Sequence, residues 1–265
     1  MIFLKSSYQK KIESLGIPYK FFKNLNKEYK EIIVSIPLFE KKIQISHPYW
    51  FVHSVEEIFI QEVYKFETQN KSPIILDCGA NWGLSVIYFK NLFTDSQIIA
   101  FEPDPKIFEL LTENIKIFKF KNVELINKAV WSSNSFLSFS SDGALGGSLS
   151  ELGINDNITS EIETVRLKEY ILDKEIDFLK IDIEGAELEV LADIKEELQN
   201  VRFLFVEYHG IPQKPAYLSE LLEIIQDSGY KYYIASANEL MKNPFIDHKK
   251  EFYYELQLNI FCFRK

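Results

Sequence analysis

The segment 73–105 constrains the fold of this chain more than any other, because it contains a complete strand–turn–helix–strand pattern. An apolar run at 74–76 ends on Asp77, and a turn with two glycines follows at 79–83. The residues after the turn carry apolar side chains at helical spacing, and a second apolar run then ends on Glu102. The segment therefore predicts a βαβ unit in which an acidic residue closes each strand.

The chemistry of this unit favours a nucleotide cofactor at the ends of its strands. Glycines let a ligand approach the backbone, the following helix offers free N–H groups, and an acid at Glu102 suits ribose hydroxyls. A dinucleotide and S-adenosylmethionine both fit this frame. The turn lacks the middle glycine of the dinucleotide fingerprint, and Asp77 would repel a pyrophosphate but attract a cationic amine and sulfonium. We therefore expect S-adenosylmethionine, with a nicotinamide-dependent oxidoreductase as the alternative.

Length and charge limit the remaining interpretations. The 265 residues fit one large α/β domain or one domain with a small lobe, and 46% apolar residues support a full core. A net charge of −9 argues against nucleic acid as the main partner. The first fifty residues are basic, with nine lysines against four glutamates. That segment suits an anionic substrate such as a nucleotide-sugar or a lipid-linked sugar, and a plain solvated face is the alternative.

The sequence shows few features of secreted or membrane-spanning proteins. Its two cysteines, Cys78 and Cys262, cannot build a disulfide framework or a cysteine-based metal site. No N-terminal apolar stretch is long enough for a signal peptide, and no run reaches the length of a transmembrane segment. We therefore expect a soluble, cytoplasmic protein, whose oligomeric state the sequence leaves open.

The pattern of elements predicts a basic N-terminal lobe with a short hairpin at 1–53 and a cofactor-binding domain at 54–265. Further helices are expected at 55–68, 105–118, 186–198 and 215–227, and further strands at 123–130, 163–167, 176–183, 201–208, 231–235 and 252–263. The last two strands are joined without a clear helix, which predicts an antiparallel edge. The fold class is therefore α/β, a Rossmann-like sheet of seven strands with the last one antiparallel.

A serine-rich segment at 131–160 breaks the alternation of strands and helices. It contains a candidate strand at 136–140, and the remainder reads as loop. Long loops inside compact α/β domains are usually functional or mobile. We interpret this one as a substrate lid, and a plain surface insertion is the alternative.

Five motifs in order give the chain a family resemblance. They are LDCGANWG at 76–83, AFEPDP at 100–105, NKAV at 127–130, IDFLKIDIEGAELEVL at 176–191 and FVEYH at 205–209. The chain resembles the FkbM-type methyltransferases, although Cys78 and Trp82 replace the commoner aliphatic residues. The resemblance implies a class I methyltransferase fold, S-adenosylmethionine as cofactor, and O-methylation, in many members of sugar hydroxyls. A non-catalytic methyltransferase-like binding module is the alternative.

The motifs and the ends of the predicted strands together give the candidate cofactor site. The methionine end is expected on Asp77, Gly79, Ala80, Asn81 and Gly83. Glu102 and Pro103 would border the ribose, and Asn127 and Ala129 the adenine. Asp182 is a further candidate for the cofactor's amine.

The candidate catalytic residues are Asp182, Glu184, Glu207 and His209, from two strands expected to be neighbours. A sugar hydroxyl is a poor nucleophile, so a base or a metal is expected. We expect His209 to be the base, because a neutral histidine can accept a proton near pH 7; a histidine that only caps the strand is the alternative. Asp182, Glu207 and His209 would also suit Mg²⁺ or Mn²⁺, although nothing in their spacing demands a metal. Glu187 is expected to complement a helix dipole.

Overall fold

A computed structural model describes residues 6–140, 148–149, 160–210, 216–237, 243–247 and 256–264. The strands are β1 Val34–Leu38, β2 Lys41–Ile45, β3 Ile74–Cys78, β4 Gln97–Phe101, β5 Val123–Ile126, β6 Ala129–Trp131, β7 Phe136–Ser140, β8 Ser148–Leu149, β9 Ser160–Arg166, β10 Ile176–Ile181, β11 Val201–Gly210, β12 Lys231–Ser236 and β13 Leu256–Phe263. The helices are α1 Ser7–Ser14, α2 Tyr19–Leu25, α3 Pro48–Val55, α4 Leu84–Leu92, α5 Pro105–Phe118, α6 Lys168–Ile171, α7 Glu187–Asp193, α8 Tyr217–Asp227 and α9 Pro244–Asp247. A π-helical turn, Glu56–Gln61, continues α3, and a 3-10 turn, Glu197–Asn200, precedes β11.

The central sheet has the order β12-β13-β11-β10-β3-β4-β5. Strands β11, β10, β3, β4 and β5 pair in parallel, whereas β13 is antiparallel to both of its neighbours, β11 and β12. The prediction of an α/β fold with seven strands and an antiparallel last strand is therefore confirmed.

Alternation along the central strands separates two apolar cores, because successive side chains point to opposite faces of a sheet. One face contributes Ile75, Phe178, Phe205 and Phe261 to the first core. The other face contributes Leu76, Leu179, Leu204 and Ile260 to the second core. Two residues further along each strand, toward the carboxyl ends of the parallel strands, the first face carries polar side chains instead. We call these four residues the polar row: Asp77, Lys180, Glu207 and Asn259.

The N-terminal segment packs on the face that carries the polar row. Its β1–β2 pair is the predicted antiparallel hairpin, and residues from α1 to α3 belong to the first core. A buried asparagine ties the hairpin to α5 and to the glycine turn: Asn114 Nδ2 donates to the carbonyls of Gln44 (2.8 Å) and Trp82 (2.9 Å). Trp82 Nε1 in turn donates to Ser46 Oγ at 3.1 Å. The domain boundary expected after residue 53 falls inside α3 and stays a prediction.

The helix expected at 55–68 has different bounds. Its start lies at Pro48, a favoured first helical residue, and Phe51, Val52 and Val55 then bury one face. The π-helical turn ends at Glu62, whose backbone is left-handed (φ 57°). The start expected at residue 55 therefore lies within a continuous helix and does not begin one.

The single strand expected at 123–130 is two strands in different sheets. Asn127 separates them, because its side-chain amide donates to the carbonyls of Glu102 (2.8 Å) and Pro103 (3.1 Å). Beyond it, β6 pairs with β9 in a second sheet of order β6-β9-β7-β8. Part of the segment expected to be loop therefore forms a sheet. The remainder of the predicted lid, 141–147 and 150–159, lies outside the described residues.

The helix expected at 186–198 is also interrupted: α7 ends at Asp193, and a 3-10 turn follows. Across the ranges given above, the structure contains no helix with both the length and the apolar character that crossing a bilayer requires.

Candidate active site

The glycine turn after β3 is held against two other elements. The N–H groups of Gly79 and Ala80 both donate to the carbonyl of Phe101, at 3.0 and 2.9 Å. Gly79 has a φ of +86°, and a Cβ atom there would lie 1.9 Å from the carbonyl oxygen of Asp182. Only glycine allows this approach. The candidate cofactor turn and the candidate catalytic segment after β10 are therefore in direct backbone contact.

The acid at the end of β4 is buried within the same turn. Glu102 accepts hydrogen bonds from the N–H groups of Asn81 and Asp104, both at 2.9 Å. Burial raises the pKa of Glu102 to about 7, and these two hydrogen bonds oppose the rise. The carboxyl group therefore changes charge near neutral pH, at the place where a ribose is expected.

A buried lysine connects the two segments. Lys180 Nζ lies 2.7 Å from the Gly79 carbonyl, 3.0 Å from Asp182 Oδ2 and 3.4 Å from Asp77 Oδ1. Burial alone would lower the pKa of Lys180, but Asp182 and Asp77 raise it, so the side chain is charged. Asp77 Oδ2 accepts from Ser85 Oγ, whereas Asp77 Oδ1 is buried and has no hydrogen-bond partner among the described residues.

His209, at the end of β11, lies among three glutamates. Its Nδ1 is 2.8 Å from Glu187, and its Nε2 is 3.3 Å from Glu184 and 3.7 Å from Glu207. Burial acts to lower the pKa of His209, but the carboxylates of Glu184, Glu187 and Glu207 raise it well above its usual value. The three carboxylates therefore favour the protonated imidazole. That state differs from the neutral one assumed when His209 was predicted to be the base, and its role stays a prediction.

Glu187 does more than complement a helix dipole, and its contact with His209 is missing from the sequence-based prediction. Its Oε1 also accepts from the N–H of Gly185 at 3.0 Å. Glu184 and Gly185 both have left-handed backbones, with φ of 56° and 103°. This turn brings two glutamates, three residues apart, to the same imidazole. The available signal was Gly185 between the two glutamates, because a turn at a glycine can bring the residues on either side of it together.

The four predicted catalytic residues come together at the carboxyl ends of β10 and β11. One ligand atom from each of Asp182, Glu207 and His209 lies within 4.8 Å of the others, so their number and type fit a divalent cation. However, Asp182 is already paired with Lys180, and both imidazole nitrogens face carboxylates. A metal there stays a prediction.

The predicted adenine residues differ in position. Asn127 lies beside Glu102 and Pro103, as expected of an edge residue. Ala129 was expected at the end of the third parallel strand, but it starts β6 and is buried in a small apolar cluster with Trp131 and Ala186. It is therefore less suited to contact a cofactor.

Two residues outside the recognised motifs also reach this edge. Asn259 Nδ2 donates to Glu57 Oε1 at 2.6 Å, and Asn259 lies directly opposite Glu207 in the β11–β13 pair. Burial raises the pKa of Glu57, with Asp182 adding to the rise and Asn259 and Lys180 opposing it. No sequence motif indicated either residue, because one comes from the π-helical turn and the other from the inserted strand.

The methyltransferase FkbM domain model matches residues 77–232, which is more than half of the chain. The chain belongs to the FkbM methyltransferase family. It is therefore a methyltransferase, and the family supports S-adenosylmethionine as its cofactor.

Named relatives and one solved structure agree with the family. The chain is 29% identical to hexuronic acid methyltransferase AglP of Haloferax volcanii over 60% of its own length and 69% of the relative. It is 30% identical to 2-O-methyltransferase NoeI of Sinorhizobium fredii over 53% of its own length and 65% of the relative. The chain also superposes on the crystal structure of M. jannaschii TYW2 in complex with AdoMet, with a TM-score of 0.50 and 14% sequence identity. The match covers 89% of this chain and 88% of the TYW2 chain. That likeness shows the class I methyltransferase fold.

Proposed function

We propose that this FkbM methyltransferase transfers a methyl group from S-adenosylmethionine to a hydroxyl group of a sugar, in a glycan or glycolipid intermediate. The observation that carries the proposal is the buried cluster of His209 with Glu184, Glu187 and Glu207, directly beside the candidate cofactor turn. The names of two relatives, a hexuronic acid methyltransferase and a 2-O-methyltransferase, support a sugar acceptor. The basic N-terminal segment favours an anionic one, such as a nucleotide-sugar or a lipid-linked sugar.

The residues of the turn fit the cofactor. Asp77 Oδ1 is a buried carboxylate oxygen that forms an ion pair with Lys180 Nζ at 3.4 Å but accepts no hydrogen bond among the described residues, so it can still accept one from a cationic amine. Glu102 and Pro103 suit the ribose, and Asn127 the adenine. Gly79, Ala80, Asn81 and Gly83 shape the turn, and Asp182 contacts it through Lys180. When bound, S-adenosylmethionine supplies an electrophilic methyl group on a sulfonium cation.

The chain's own side chains orient the acceptor and remove its proton. Holding the hydroxyl oxygen in line with the methyl group supplies much of the rate. His209, protonated and held by Glu187, keeps Glu184 and Glu207 in place. The hydroxyl proton passes to a carboxylate of this cluster. We assign it to Glu207, because burial first, and then Asp182 and Glu57, raise its pKa above that of an ordinary carboxylate, while the His209 cation 3.7 Å away opposes the rise and favours the charged form that accepts a proton.

Calorimetric titration with S-adenosylhomocysteine tests the cofactor assignment. The wild type should bind the product with micromolar affinity and should not bind NAD⁺. Glu102→Ala and Asp77→Ala should abolish binding, whereas Glu113→Ala, which removes an exposed carboxylate paired only with Lys116, should not. Circular dichroism must show that each variant is folded. Unchanged binding by folded Glu102→Ala would refute the site.

Transfer of a labelled methyl group to nucleotide-sugars and uronic acid glycosides, with and without Mg²⁺, tests the chemistry. Glu207→Gln should abolish transfer while product binding persists. An absolute need for Mg²⁺ would instead favour Asp182, Glu207 and His209 as metal ligands. Product binding without transfer to any sugar would contradict the acceptor class.

A further inference from the structure

A surface of aromatic rings lies at the start of α3. The rings of Tyr29 and Tyr49 are 4.5 Å apart, and those of Tyr49 and Trp50 are 5.1 Å apart. Tyr29 is 66% exposed and Trp50 36% exposed. We call Tyr29, Tyr49 and Trp50 the aromatic platform. Tyr49 follows Ser46 by three residues in the chain, and Ser46 accepts a hydrogen bond from Trp82 in the glycine turn.

One side of α3 leads from the platform to the polar row. Trp50, His53 and Glu57 are separated by three and four residues, so they share one helical face. The rings of Trp50 and His53 are 5.6 Å apart, and Glu57 is hydrogen-bonded to Asn259. The π-helical turn that follows α3 contains Glu57; such turns are frequent at functional sites. Trp50 therefore contacts His53 one turn along α3, and Glu57, one turn further, is hydrogen-bonded to Asn259, which lies opposite Glu207 in the sheet.

Two polar atoms along this path have no hydrogen-bond partner among the described residues. They are Nε2 of His53 and Oδ1 of Asn259, and both atoms are buried. Asn259 is only 4% exposed as a whole. Buried polar atoms are nearly always hydrogen-bonded in folded proteins, so a ligand that supplies hydroxyl groups would satisfy both.

We propose that this face of α3 is the acceptor subsite and that its ligand is a sugar ring. A pyranose has an apolar face that packs on an aromatic ring and equatorial hydroxyls that donate and accept hydrogen bonds. The aromatic platform binds the apolar face, and His53, Glu57 and Asn259 bind the hydroxyls and direct one of them toward Glu207. This assignment rests on the proposed sugar O-methylation and gives the N-terminal segment, outside the family-matched residues, the role of choosing the acceptor.

The test measures sugar binding separately from cofactor binding. Protein saturated with S-adenosylhomocysteine is titrated with methyl β-glucuronide and with methyl β-glucoside, and binding is followed by saturation-transfer NMR. Tyr29→Ala, Trp50→Ala and Asn259→Leu should each weaken sugar binding about tenfold, as expected for losing one ring contact or one hydrogen bond. Tyr233→Ala is the matched control, because Tyr233 is 64% exposed and lies on β12.

The outcomes separate this subsite from the proposed function. Affinity for S-adenosylhomocysteine should be unchanged in Tyr29→Ala, Trp50→Ala and Tyr233→Ala, and sugar affinity should fall only in the first two. Equal sugar affinity in Trp50→Ala and wild type would overturn the subsite and leave the cofactor site intact. Failure of both sugars to bind the loaded wild type would also overturn it. If S-adenosylhomocysteine itself does not bind, the proposed function fails, and the same titration of the free protein decides the subsite.

Discussion

Replacing Gly79 by alanine should be unusually destabilising for a single methyl group. Two effects add at this position. The φ of +86° is strained for any residue with a Cβ, and the new Cβ would lie 1.9 Å from the Asp182 carbonyl oxygen. That neighbour is backbone, so it cannot rotate away as a side chain could. The turn and the segment after β10 must separate to admit the methyl group.

The magnitude follows from treating the two effects separately. A left-handed conformation costs a residue with a Cβ roughly 1–2 kcal/mol. Overpacking a tight contact typically costs about 1–3 kcal/mol more. Gly79→Ala should therefore lower the free energy of unfolding by about 2–5 kcal/mol. Gly229 offers a matched control, since its φ is +82° and a Cβ there would meet nothing within 4 Å. Gly229→Ala should cost only about 1–2 kcal/mol.

Urea denaturation of both variants beside the wild type measures the difference. The excess loss in Gly79→Ala isolates the contact with Asp182, because the backbone strain is common to both substitutions. Affinity for S-adenosylhomocysteine should also fall in Gly79→Ala alone, since the clash with the Asp182 carbonyl displaces the turn that is proposed to hold the cofactor. Equal destabilisation by the two alanines would refute the view that this glycine is required for close approach.

Three further substitutions probe the charges of the site. Lys180→Met should cost about 3–5 kcal/mol of unfolding free energy, because it leaves the buried Asp77 and the partly exposed Asp182 without the cation that pairs with them. Lys195→Met, which breaks an exposed ion pair, should cost less than about 1 kcal/mol in the same assay. The pKa of Glu102 is about 7 in the fold against 4.5 for the ordinary side chain, so the folded state holds the extra proton. Protonation of Glu102 therefore stabilises the folded state fully below pH 4.5, and this stabilisation, at most about 3 kcal/mol, is lost as the pH rises to about 7. The free energy of unfolding should lose this pH dependence in Glu102→Gln. Glu187→Gln should lower the pKa of His209, because it removes a carboxylate 2.8 Å from Nδ1, and an NMR titration of the imidazole that shows no change would contradict this account.

Local sequence patterns predicted those elements whose structure depends on short segments of the chain. The βαβ unit, the helix at 105–118 and the hairpin follow from apolar periodicity and turn residues. The meeting of Asp182 and His209 follows from a general rule, since parallel strands present their carboxyl ends at one edge. The position of Ala129 could not be read in this way. The segment from 123 to 130 fits one continuous strand, and only the tertiary contacts of Asn127 divide it.

The protonation state of His209 and the participation of Glu57 were also beyond sequence reasoning. Both depend on distances between residues far apart in the chain. Three carboxylates around one buried imidazole decide its charge, and no spacing encodes that number. Glu57 lies in a π-helical turn outside the recognised motifs, and its partner Asn259 lies 202 residues later.

The placement of β13 between β11 and β12 has a consequence for how the molecule is made. The ribosome releases β12 before β13, yet β12 pairs only with β13 among the described strands. Until β13 is inserted, β11 is an open sheet edge, and β12 has no neighbour to bind. The same insertion delivers Asn259 opposite Glu207. During synthesis, the glycine turn can therefore be complete in a nascent chain whose acceptor side is still unformed, so competence for methyl transfer follows the closure of the sheet.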